Sequence, residues 1–101
     1  SQDDINAEVT ASDGESTDIF GENAHKLNDA FANAAEKLTQ SDGESFVPTL
    51  SFIVFDNVSG ETLYTVQTDG SIISVQIKKG ETVYFTADKA AIESIVSAAK
   101  W

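Results

Sequence analysis

Apolar residues recur every three or four positions between residues 20 and 38, which predicts an amphipathic helix. Thr17 or Asp18 is placed to cap its start, and Ser41-Asp42-Gly43 ends it. A second helix is predicted over residues 87–100. The apolar positions of the two helices are Phe20, Ala24, Leu27, Phe31, Ala34 and Leu38 in the first, and Ala91, Ile92, Ile95, Val96 and Ala99 in the second.

After Phe46 the apolar period changes to two, which is typical of β-strands. In residues 49–56, Leu50, Phe52 and Val54 alternate with Ile53 and Phe55, so apolar side chains point to both faces of the strand. This is expected for a central strand that is covered on both faces. Three further strands are predicted at 61–67, 71–78 and 81–86. Because the links are short, among them an Asp-Gly turn, we expect an antiparallel meander of four strands.

Residues 1–18 differ from the rest of the chain. They carry six acids, no cation and only two large apolar residues, Ile5 and Val9. This composition is typical of a flexible or partner-ordered acidic arm. The sequence thus predicts an α+β protein in which an N-terminal acidic arm precedes one domain over residues 19–101. That domain contains the amphipathic helix, the four-stranded antiparallel meander and the C-terminal helix, with the helices covering one face of the sheet.

The charge balance narrows the classes of partner. Seventeen Asp and Glu stand against six Lys and no Arg, so the formal net charge is −11. Nucleic acids and anionic membrane surfaces require a cationic footprint, and we expect the chain to bind neither. Its field would attract cationic proteins or metal ions. The absence of Cys leaves the compartment open.

The sequence contains no pattern typical of an active site. The single His25 falls within the first helix, and neither a Gly-x-Ser-x-Gly elbow nor a glycine-rich phosphate loop occurs. Asp56 and Glu61 flank one turn, where carboxylates are solvated and lack the burial that general acid catalysis needs. We therefore expect a protein without catalytic activity or cofactor.

A repeated pentapeptide, Ser-Asp-Gly-Glu-Ser at 12–16 and 41–45, raises the question of calcium binding. Neither copy has the carboxylate spacing of an EF-hand loop, so no metal ligand is assigned. A weak divalent-cation-binding module is kept as one alternative function.

Aromatic residues suggest an interface. Tyr64 and Tyr84 occupy similar places in two Gly-Glu-Thr-x-Tyr segments, and Trp101 ends the chain. If both tyrosines share the face away from the helices, they form an aromatic patch suited to a protein partner or to self-association. We therefore predict a non-enzymatic structural or interaction protein acting within an assembly, for example a virion or capsid-decorating component.

The main alternative is an inhibitor that imitates nucleic acid. Spaced carboxylates on a rigid surface can occupy the phosphate sites of a cationic protein. Such mimicry needs the acids on ordered helices and strands, and the predicted arm counts against it.

Overall fold

Seven strands and two helices make up the fold in a computed structural model that describes residues 4–100. All strand pairs are antiparallel, and the sheet order is β2-β1-β4-β5-β6-β7-β3. The elements in chain order are β1 Ile5–Ala11, β2 Ser16–Phe20, α1 Gly21–Ala35, β3 Thr39–Ser41, β4 Leu50–Asp56, β5 Thr62–Thr68, β6 Ile72–Ile77, β7 Thr82–Thr86 and α2 Lys89–Ala98.

The fold-class prediction is wrong about the sheet, although the α+β class fits. The sheet has seven strands, because residues assigned to an acidic arm form the β1–β2 hairpin and residues 39–41 add β3. β1 lies inside the sheet between β2 and β4. The predicted boundary between residues 18 and 19 falls within β2.

The β1–β2 hairpin is held by apolar packing around Ala7 and by backbone hydrogen bonds in its turn. Ala7 is fully buried and lies directly opposite Ile19 on β2 and Val54 on β4. The turn is closed by backbone bonds from Gly14 N–H to Ala11 C=O and from Ala11 N–H to Glu15 C=O, both 2.9 Å. Gly14 has φ +88°, the left-handed conformation that this type of three-residue hairpin loop requires. An acidic, Ala-containing segment therefore pairs as an inner strand.

Two of the three turns in the β4–β7 meander are fixed by aspartate side chains. The Asp56 carboxylate accepts hydrogen bonds from the N–H groups of Val58 and Ser59, at 2.7 and 3.0 Å. Asp69 does the same for Ser71 and Ile72, at 2.8 and 2.7 Å. These bonds satisfy N–H groups of the turns that have no partner in the strand ladder and would otherwise bind water.

The helices pack on one face of the sheet, which we call the covered face. The Phe31 ring of α1 stacks on Tyr64 at 4.9 Å and meets Phe52 edge-on at 6.5 Å. α2 packs against α1 and buries Ile92 and Ile95. The apolar residues buried beneath the helices include Ala7, Val9, Ile19, Phe52, Val54, Val66, Ile73 and Val75.

A pair of identical substitutions in β1 tests whether this strand is part of the folded core. Ala7→Leu forces three additional heavy atoms into filled space, whereas Ala11→Leu enlarges an exposed residue on the same face of the same strand. We expect Ala7→Leu to lower the unfolding free energy by about 1–3 kcal/mol and Ala11→Leu by less than about 0.5 kcal/mol. Urea denaturation followed by circular dichroism measures both. Equal, small effects would show that residues 5–11 do not pack as described.

The Asp56 turn predicts a pH dependence. The N–H groups of Ser59 and Val58 hold the pKa of Asp56 below its ordinary value of 3.8. Its ionised form therefore adds stability that is present above pH 3.8 and is lost as pH falls through the lowered folded-state pKa. Wild type should be more stable than Asp56→Asn at neutral pH, and this advantage should shrink at successive steps below 3.8. Urea titrations of both proteins measure it; an advantage unchanged by acid would refute the assignment.

Candidate protein-interaction surface

The sheet face opposite the helices, here called the open face, carries half-exposed apolar residues. Asn6 of β1 lies between Phe20 and Phe55, so the two phenylalanines flank it on the same face. Phe20 is 62% exposed. Ile53 and Phe55 are half-buried and are not among the side chains packed on the core cluster. The open face therefore presents Phe20 on β2 and Ile53 and Phe55 on β4, with the polar Asn6 of β1 between the two phenylalanines; these three apolar residues are here called the apolar strip.

Next to this strip, two carboxylates lie on neighbouring strands. Glu8 is directly opposite Asp18. Because Ala11 and Glu15 are hydrogen-bonded, alternation makes the Glu8–Asp18 position a non-hydrogen-bonded pair, in which Cβ atoms stand roughly 4.5–5.5 Å apart. Within residues 4–100 neither carboxylate has a cation in salt-bridge range. Like charges in this position oppose each other, so the pair costs stability.

Beyond β4, the open face is polar at Thr65 of β5 and Gln76 of β6. Glu8 faces Ile53, and the row continues through Thr65 to Gln76. A shallow groove of about 800 Å³ runs along this part of the face. An ion pair between Lys78 Nζ and Glu61 Oε1, at 3.4 Å, lines it. This groove presents hydrogen-bonding groups together with the paired charges of Lys78 and Glu61.

Tyr64 and Tyr84 lie on opposite faces of the sheet and do not form one patch. Tyr64 pairs with Ile77 of β6 and Tyr84 pairs with Ser74 of the same strand. Ile77 and Ser74 are three residues apart, so alternation directs them to opposite faces. The two tyrosines occupy equivalent positions in similar sequence segments, but the registers of β5 and β7 with β6 place them on opposite faces.

Tyr64 is buried beneath α1, with only 9% of its surface exposed. Its hydroxyl donates a hydrogen bond of 2.6 Å to Asn28 Oδ1. Burial, together with the charge of Asp29, raises the pKa of Tyr64 far above its ordinary value. Tyr64 therefore joins the sheet to the helix and is not accessible to a partner.

Tyr84 is half-buried on the open face, where a loop of the chain itself covers it. Phe46 meets its ring edge-on at 5.4 Å, and Gly43 passes close above it. The loop between β3 and β4 thus shields this side of the open face. Trp101, the third predicted interface residue, lies outside the described residues.

The other candidate residues serve local structure. His25 Nε2 lies 2.7 Å from Asp4 Oδ1, and this hydrogen bond holds the pKa of Asp4 below its ordinary value. In the repeated pentapeptide, Asp13 and Asp42 each accept the N–H of the residue two positions on, at 2.9 and 3.0 Å. Among residues 4–100, no group of three or more His, Asp or Glu side chains is placed to hold a metal ion.

Comparison with protein-family models, curated proteins and solved structures finds no match to this chain. Neither helix described in residues 4–100 has the length and hydropathy to span a bilayer.

Sequence reasoning did not identify Glu8, Asp18 and Phe20 as surface candidates. The available signal was the alternation of Ile5, Ala7 and Val9 with polar residues, which is a strand pattern. Read as a strand, it would have placed Glu8 on the face away from the core.

The two copies of the pentapeptide offer a matched test of the loop over Tyr84. Gly14 and Gly43 both have positive φ, but a Cβ at Gly14 meets nothing within 4 Å, whereas one at Gly43 would overlap the Tyr84 ring. Gly14→Ala should cost about 1–2 kcal/mol of unfolding free energy through its backbone alone. Gly43→Ala should cost about 1–3 kcal/mol more through the ring.

Adding Tyr84→Ala to both glycine variants isolates the ring contact. The extra cost of Gly43→Ala should disappear in the Tyr84→Ala background, while the cost of Gly14→Ala stays the same. Equal costs of the two glycine substitutions in the wild-type background would contradict the packing of this loop on Tyr84. Chemical denaturation measures each step.

Proposed function

We propose that this protein is a non-enzymatic binding module that acts within a protein assembly and contacts its partner through the open face. The observation that carries the proposal is the uneven cover of the sheet. Both helices pack on one face, while Phe20, Ile53 and Phe55 form an apolar strip on the other.

The strip is large enough to contribute to binding. Full burial of one such side chain stabilises an association by roughly 1.5–3 kcal/mol before the costs of ordering are subtracted. Aromatic anchors surrounded by polar residues are typical of interface centres. Here Asn6 lies between two phenylalanines, and Thr65 and Gln76 lie farther along the face.

Charge favours a cationic partner over a second copy of the chain. Between residues 4 and 22 there are six acids and no Lys, and the whole chain carries −11. Two copies repel each other through this field, whereas a basic protein is attracted and its association is accelerated. A capsid-decorating subunit is one form of such a module, and the proposal does not depend on it.

Imitation of nucleic acid is a second candidate, favoured by one observation. The acids at positions 4, 8, 13, 15 and 18 lie on or beside an ordered hairpin, not on an arm. Rigid carboxylates can occupy phosphate sites. On the open face of this hairpin, however, only Glu8 and Asp18 lie side by side, next to an apolar strip that a phosphate site would not contact.

Two exposed apolar residues provide a matched test. Phe20 lies on the open face and Val58 lies on the β4–β5 turn, with 62% and 91% of their surfaces exposed. The tagged protein, Phe20→Ser and Val58→Ser are incubated with lysate of the source cells, and bound proteins are quantified by mass spectrometry. We expect one partner to be retained by wild type and Val58→Ser and to be depleted about tenfold or more with Phe20→Ser, since an interface anchor is worth about 2 kcal/mol.

Equal retention by all three proteins would refute the open face as the contact. Two additions separate the candidate functions. If nucleic acid displaces the partner and moderate salt abolishes binding, mimicry is favoured, because contacts between charges are screened. If binding persists in moderate salt and nucleic acid does not compete, the apolar contact is favoured.

A further inference from the structure

The edge strand β2 offers unpaired backbone groups to a partner. Hydrogen-bonded pairs alternate along an antiparallel ladder, and Ala11–Glu15 is such a pair. Thr17 and Ile19 therefore bond to β1, while the backbone groups of Ser16 and Asp18 and the N–H of Phe20 point away from the sheet. Within the described chain no element lies beyond β2 in the sheet order.

The opposite edge of the sheet is less suited to a partner. It is formed by β3, which has only three residues, Thr39–Ser41. β2 has five residues, four of them exposed, and it borders the apolar strip of the open face. An added strand at β2 would therefore extend both the ladder and the proposed contact surface.

Charge determines which strand can be added. Asp18 is the central residue of β2, so symmetric antiparallel pairing of two copies would set Asp18 directly against Asp18. Like charges in that position are destabilising, which disfavours a dimer through this edge. A basic residue in the same place would neutralise Asp18 and relieve its repulsion from Glu8.

We propose that a cationic, extended segment of the partner adds to β2 as an eighth antiparallel strand. Its basic side chains lie on the open face opposite Ser16, Asp18 and Phe20, and the intervening side chains lie on the covered side near Ile19. Arginine suits the positions opposite Asp18 and Phe20, since its guanidinium binds a carboxylate through two parallel hydrogen bonds and packs on aromatic rings. This inference rests on the proposed function and specifies the partner's chemistry and mode of binding.

The probe is a seven-residue peptide of alternating Arg and Val, acetylated and amidated at its ends. Hydrogen exchange of the protein followed by NMR gives the direct readout. The amides of Ser16, Asp18 and Phe20 should exchange fast in the free protein and become protected when the peptide binds. Those of Thr17 and Ile19 should be protected in both states. General electrostatic binding would not produce this alternation.

N-methylation separates strand addition from charge attraction, because it removes N–H donors without changing charge. In antiparallel pairing, the Arg residues opposite Asp18 direct their N–H groups to β2. Methylating the backbone nitrogens of the Arg residues should weaken binding about tenfold or more. Methylating the backbone nitrogens of the Val residues should change binding less than about twofold. Equal affinity of the two methylated peptides would overturn the proposal.

Variants of the protein test the same contacts. Ser16→Pro removes one outward N–H of β2 that is not used in pairing with β1, and an edge strand tolerates proline at such a position. This variant should abolish the peptide-induced protection of the β2 amides from hydrogen exchange. Asp18→Asn and Asp13→Asn change the net charge equally, but only Asp18 faces the added strand. Asp18→Asn should weaken peptide binding about threefold to tenfold, and Asp13→Asn less than about twofold.

If Asp18 had a purely structural role, Asp18→Asn would lose stability together with binding. The partner contact predicts that binding weakens without a loss of stability. Because Asp18 repels Glu8, Asp18→Asn should leave the protein as stable as wild type or more stable, while binding weakens. Loss of stability together with loss of binding would overturn the assignment of Asp18 to the partner contact.

The failure of this inference can be distinguished from failure of the proposed function. If Phe20→Ser releases the cellular partner while Ser16→Pro and the methylated peptides behave like their parents, the open face binds without strand addition and only the inference is overturned. If wild type forms a dimer that Ser16→Pro dissociates, as measured by light scattering, the occupant of β2 is a second copy and the inference is likewise overturned.

Discussion

The insertion of β1 between β2 and β4 is the constraint on which the rest of the structure depends. It joins residues 5–20 to the central meander and extends the sheet on the side where α1 begins. Fully buried Ala7 lies in the middle of this junction, where a small side chain leaves room beneath the helices. Without the pairing of β1 with β4, the β4 edge would be open and Ile19 of β2 would lose the strand that places it in the core.

The packing of both helices on one face follows from the same arrangement. β2 leads directly into α1, whose Phe31 and Asn28 contact the sheet through Tyr64. α2 packs beside α1, and their apolar faces are used on the covered face. No helix of residues 4–100 is left for the open face, so its apolar strip and its polar rows stay in contact with solvent unless a partner covers them. The proposed function is a consequence of this uneven cover.

Sequence periodicity predicted the elements in which large apolar residues repeat. The pattern from Phe20 to Leu38 contains α1, which is shorter and spans Gly21–Ala35, while Phe20 itself ends β2; the segments assigned to the meander form β4 to β7. It did not predict β1 and β2, where Ala residues replace large ones and acidic charge resembles that of a disordered arm. β3, with three residues, is too short to show a period. The faces of Tyr64 and Tyr84 depend on register with β6, which periodicity within one segment does not contain.

The Glu8–Asp18 pair connects the fold to its proposed use. Residues that pack for stability alone avoid like charges on opposite strands, and local conflicts of this kind are expected where a surface has a function. Asp18 of this pair lies on the edge strand, beside an exposed phenylalanine and next to backbone groups that have no partner in the described sheet. A cationic strand would neutralise the two carboxylates, cover the Phe20 ring and bind the outward backbone groups of β2. A second copy of the chain would satisfy the backbone only, at the cost of adding further negative charge to the same edge.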